Sequence, residues 1–144
     1  MLGTYRTLTT ITDALYQRDL TLMRSISAEE ANIRDALNKL EEQARKSSHG
    51  TDENDIAIRS LGGDFLWQGW VERKRTSLQM KLVNILVRKA QATQQLRRSF
   101  GKNSATEKLQ EHLLKDAKMD QAKKRLTEEQ SHALFLAQSK KKPD

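Results

Sequence analysis

Three histidines, His49, His112 and His132, are the side chains of this sequence best suited to acid–base or metal chemistry, and their spacing works against both. They lie far apart, and His112 has an acidic neighbour at helical spacing, Asp116. A single His/Asp pair at i and i+4 is chiefly a surface hydrogen bond. There is no cysteine, which excludes a disulfide framework and thiolate metal ligands. Gly62-Gly63 lacks the preceding strand and the following Lys-Ser/Thr that a phosphate loop needs, so it reads as a hinge. No Ser/His/acid grouping is present either. The expectation is a non-enzymatic chain with no cofactor and no metal.

The remaining chemistry is that of binding. Phe65, Leu66, Trp67, Trp70 and Val71 form the one aromatic-rich patch. Tryptophan is costly to expose. The patch therefore either caps the end of a helical pair against Leu37, Leu40 and the Ile56/Ile58/Leu61 turn, or leaves part of itself outside as a binding anchor. Leu134-Phe135-Leu136 poses the same choice with little chain left to cover it, which favours a partner contact. The basic run Arg73, Lys74, Arg75, Lys81, Arg88, Lys89, Arg97, Arg98 and Lys102 also admits two readings. One is a solvated helix partly neutralised by an acidic neighbour; the other is a nucleic-acid surface. On a helix these positions spread around most of the circumference, which suits phosphate binding less well.

Helices must position all of these groups. From Tyr5 to Lys46 one heptad register runs unbroken, with Leu8, Leu15, Leu22 and Ala36 at d and Ile26, Ile33 and Leu40 at a. Tyr16, Met23 and Leu37 at e widen the stripe, while Thr12, Asp19, Glu29 and Gln43 interrupt it. Ser27 to Glu30 has the form of a capping box but reads as helix interior. A polar tract, Ser47 to Asp55, ends the helix, and the whole connection of residues 47–63 leaves room for a short helical turn. Asp64 is the expected N-cap of helix two, about 64–100. That helix carries Val71, Leu78, Ile85 and Ala92 in one column and Leu82 and Leu96 in the other. Gly101 to Ser104, followed by the Ser104/Glu107 capping pattern, marks a weak point. There the chain either breaks and folds back or runs on and overhangs. A C-terminal helix of about 105–139 carries Leu109, Leu113, Met119 and Leu126, followed by the basic tail 140–144.

The composition agrees with this plan. In 144 residues, 31% are charged and 5% aromatic, with one proline, which suits long helices more than a thick globular core. The net charge of +7 is unevenly placed. Residues 1–70 hold eight Lys/Arg against eleven Asp/Glu, whereas residues 71–103 hold nine against one. No apolar run reaches the ~18 residues of a membrane span and no signal pattern opens the chain, so the expected location is cytoplasmic, without membrane insertion. The expected fold is all-α: a single domain forming an elongated antiparallel two-helix coiled coil, or helical hairpin, with a C-terminal helical extension.

The run Glu107-Lys108-Leu109-Gln110-Glu111, then Lys123-Lys124-Arg125, Glu128-Glu129-Gln130 and Leu134, resembles the C-terminal half of the flagellar export protein FliJ and its YscO-like relatives in type III secretion. Similar length and a two-helix plan extend the likeness loosely over most of the chain. Leu134-Phe135-Leu136-Ala137 departs from that family's more acidic ending, and the Gly101 to Ser104 interruption departs from its continuous helix. The resemblance implies a stalk that sits in an export ATPase ring, regulates it, and touches the membrane export gate, with export chaperones as further partners. It also implies a place in the cytoplasm or at the inner face of the membrane. By that analogy the two termini enter the ring and the loop end, with Leu37, Leu40, Phe65, Trp67 and Trp70, faces the gate, while Lys123, Lys124, Arg125, Leu134, Phe135 and Leu136 are further partner-binding candidates. A nucleic-acid-binding helical protein and a generic coiled-coil scaffold are the alternatives.

Overall fold

A computed structural model describes residues 2–48 and 53–141. The element order is α1 (Leu2–Ser48), α2 (Glu53–Ser60) and α3 (Gly63–Ser139), with no strand among the described residues. The chain is an all-α helical hairpin in which α1 and α3 pack against each other. The expected bend at His49 to Asp52 and the end of the tail, Lys142 to Asp144, lie outside the described residues. The connection is not all loop, since α2 occupies eight of its residues. Gly62, at a φ of 81°, makes the left-handed turn from α2 into α3, a conformation that glycine adopts without a Cβ penalty. Asp64 lies inside the first turn of α3 and is not its cap; its carboxylate suits the positive end of the helix dipole.

Contacts divide the chain into two units, Tyr16–Ser99 and Met1–Leu15 with Phe100–Asp144. In Tyr16–Ser99 the helices meet along a seam with a seven-residue period. Val71, Leu78, Ile85, Ala92 and Ser99 are buried in one column of α3. Asp19, Ile26 and Leu40 are buried in the facing column of α1. Ile26, Ile85 and Ala92 form one cluster, with Met23 and Ile33 against it. Leu40, Val71 and Leu78 form another, with Ile33, Ala36, Leu37, Ala44 and Trp67 against it. The α3 column is the one its apolar spacing predicts.

Of the two columns expected in α1, that of Ile26, Ile33 and Leu40 packs on α3 and the other is corrected. Leu8, Leu15 and Leu22 are 41%, 39% and 44% exposed, so they flank the seam and do not fill it. Thr12 and Asp19 are buried in the same column as Ile26 and Leu40, and the flanking column of Met23, Glu30 and Leu37 takes the place expected for those leucines. Of the polar residues that interrupt the apolar pattern, Thr12 and Asp19 are buried, and with Glu30 they find partners on α3. In Tyr16–Ser99, Gln95 donates to the Asp19 carboxylate at 3.2 Å and Lys89 pairs with Glu30. In the other unit, the Thr12 hydroxyl lies 3.0 Å from Asn103 Oδ1 and 2.9 Å from the Thr106 hydroxyl.

The same polar contacts explain why the weak point holds. Gly101 to Ser104 is continuous helix, and Asn103 is buried. Its amide donates to Glu107 at 3.1 Å, so residues that resemble a helix cap instead complete a polar layer. Helix two and the C-terminal helix are therefore one helix of 77 residues. Leu113 is half-buried, and every described residue from Leu114 to Lys141 is exposed. The C-terminal extension is an overhanging arm.

Replacing Leu78 with alanine removes a buried side chain from a seam only two columns wide, and is expected to lower unfolding stability by about 2–4 kcal/mol. Leu126→Ala, on the exposed arm, is expected to change it by less than about 0.5 kcal/mol. Urea denaturation followed by far-UV circular dichroism measures both; equal losses would contradict the seam.

Candidate partner-binding surfaces

The aromatic patch opens α3. Trp67 and Trp70 sit almost one turn apart and stack, with ring centroids 5.2 Å apart and planes at 19°. Trp67 is half-buried against the Leu40 cluster, and its indole N–H donates to the Ser47 hydroxyl at 2.8 Å. That bond ties the start of α3 to the end of α1. Trp70, Phe65 and Leu66 are exposed. The two readings of the patch are thus divided between its members: Trp67 closes the seam, while Phe65, Leu66 and the open side of Trp70 face outward. Ile56 and Leu61 are exposed, and the side chain of Ile58 lies outside the described residues.

Leu40, expected at a partner surface, is core: it is buried between Val71 and Leu78 and presents nothing to a partner. Leu37 is half-buried against the same cluster. A shallow groove of about 270 Å³ lies beside Trp67, lined by Ala44, Ser47, Asp64, Gln68 and Arg75 among others. On the arm, Lys123, Lys124 and Arg125 are exposed, as are Leu134, Phe135 and Leu136. Leu134 to Leu136 thus form an apolar triplet open to solvent.

Three members of the basic run, Arg75, Arg88 and Lys89, pair with glutamates. Arg75 Nε and Nη2 donate to the two carboxylate oxygens of Glu41 at 2.6 and 3.1 Å, and Nη1 pairs with Glu72. One guanidinium therefore bridges two carboxylates, one from each helix. Arg88 makes a forked pair with Glu29, at 2.7 and 3.3 Å. Lys89 and Arg34 both reach Glu30. The arginine and lysine partners hold Glu29, Glu30 and Glu41 below the ordinary glutamate value of 4.5, each chiefly through a side-chain hydrogen bond. Glu41 and Glu30 were legible only as charges on an acidic helix; their pairing depends on the rotation of α1.

His112 and Asp116 are both exposed on the arm, and no group of three or more His, Cys, Asp or Glu is placed to hold a metal among the described residues. No helix there is long and apolar enough to cross a membrane.

Lowered carboxylate values fix the sign of an acid response. The pairs contribute above the unfolded glutamate value and are lost as pH falls through the lower folded values. Stability is therefore expected to fall as pH drops below 4.5, and Glu30→Gln is expected to weaken that dependence. Urea midpoints at about pH 7 and about pH 3 test it; an unchanged pH dependence in the variant would remove Glu30 from the account. No family model, curated protein or solved structure matches this chain.

Proposed function

We propose that the chain is a non-enzymatic coiled-coil adaptor, a stalk or escort component of a flagellar or type III protein export apparatus that engages an export ATPase and an export gate. The observation that carries this reading is the arm: α3 continues as helix to Ser139 while every described residue beyond Leu113 is exposed. A solvated helix of this length gains little from its own chain, and is suited to lie inside a partner that surrounds it. Its exposed Leu134, Phe135 and Leu136 supply apolar anchors, and Lys123, Lys124 and Arg125 supply charge for an acidic wall. At the start of α3, Phe65 and Trp70 offer a separate aromatic contact for the gate. The nucleic-acid reading is weaker, because Arg75, Arg88 and Lys89 are committed to glutamates.

The test is a hydrolysis assay with the export ATPase of the same cell. The chain is expected to hydrolyse no ATP alone and to stimulate the ATPase, and Leu134→Ala with Phe135→Ala is expected to reduce that stimulation at least tenfold in apparent affinity, about 1.4 kcal/mol. No stimulation, together with salt-sensitive retention of nucleic acid, would sink the export reading. Trp70→Ala with Phe65→Ala is expected to weaken gate binding without loss of helicity; a parallel loss of helicity would make those rings core.

A further inference from the structure

α3 has a second apolar column that the hairpin does not use. Thr76, Met80, Val83, Val87, Ala90 and Gln94 recur in steps of four, three, four, three and four, the spacing of a coiled-coil seam. They lie on the side of α3 facing away from the buried column of Leu78, Ile85 and Ala92. Met80, Val83 and Val87 are 66%, 59% and 53% exposed. In a two-helix coil such outward positions are normally solvated by charge.

This face is free of charge within the most basic part of the chain. Between Thr76 and Gln95 the charged residues are Lys81, Arg88 and Lys89. All three fall on the other side of the helix, and Arg88 and Lys89 are paired with Glu29 and Glu30 of α1. An acidic partner or a nucleic acid would find nothing here to pair with. A neutral partner with matching apolar spacing would.

We propose that this face binds a second copy of the chain, with the two α3 helices antiparallel about a two-fold axis. The column is its own complement when reversed. Met80 then meets Ala90, a large residue against a small one; Val83 meets Val87; and Thr76 meets Gln94. On one flank Asn84 meets Asn84 of the copy, and on the other Leu86 meets Leu86, so no like charges oppose each other along about 27 Å of helix. Arg73 and Arg97 meet beyond the two ends and limit the seam to that length. A groove of about 260 Å³, lined by Thr76, Gln79, Met80, Val83 and Asn84, already has the i, i+3, i+4, i+7 outline of a hole that receives a knob, which this pairing fills with Ala90. The inference is independent of the export reading, since it rests on residues of Tyr16–Ser99 alone.

Sedimentation equilibrium of the full chain tests it. A dimer is expected at concentrations up to roughly 100 µM, and Met80→Glu with Val83→Glu is expected to give a monomer of unchanged helicity. A monomeric wild-type chain, or a dimer that survives the double substitution, would overturn the proposal. Because the chain has no cysteine, orientation is tested cleanly. Val83→Cys and Val87→Cys proteins are expected to form a disulfide with each other much faster when mixed than either does alone. Equal rates in all three samples would overturn the antiparallel arrangement.

Discussion

Burial at every seventh residue along one side of each helix is the constraint on which the hairpin depends. A pair of helices has only one mutual face, so the apolar layers that can form are few: Ile26 with Ile85 and Ala92, and Leu40 with Val71 and Leu78. Each side chain in such a seam is covered partly by the next layer and partly by the stems of flanking residues. Arg75 and Lys89 serve here, their aliphatic stems lying at the seam while their charged ends reach glutamates. The core and the ion pairs are therefore a single feature. Moving the seam by one position would expose the apolar layers and separate the charges at once.

Polar layers do a different task. In Tyr16–Ser99, Asp19 and Glu30 occupy buried positions that leucine would fill more favourably, and Gln95 and Lys89 reach them from the flank. In the other unit, Thr12 with Asn103 and Thr106 does the same. Each costs desolvation and returns little net stability. Each also penalises every other alignment, because a slipped register leaves a buried carboxylate or amide without its partner. A narrow apolar seam permits many alignments of similar energy, and matched polar layers select one.

α3 carries more apolar surface than the hairpin buries. Its inward column packs on α1, its outward column of Met80, Val83 and Val87 stays open, and its last turns stand alone as an exposed arm. The same economy shows in the tryptophans, where Trp67 is held by Ser47 and packs inward while its stacked neighbour Trp70 remains accessible.

The sequence by itself determined the helices, their hairpin arrangement and the inward column of α3, because periodicity is a local property and Val71, Leu78, Ile85 and Ala92 leave no rival column of equal strength. It also marked Leu134 to Leu136 as apolar residues with little to cover them, and left open how much of the Phe65 to Val71 patch is covered. Two matters were decided only by tertiary structure. One was which column of α1 joins that of Ile26 and Leu40 in the seam, where the leucines at 8, 15 and 22 are more apolar than the column of Met23, Glu30 and Leu37 that is used. The other was the continuity of α3 through Gly101 to Ser104, where local signals favour a break. Both turn on what the facing helix presents: Asn103, Thr106, Gln95 and Lys89 satisfy Thr12, Asp19 and Glu30, and the worth of a polar group in a seam is set by its partner and not by its own side chain.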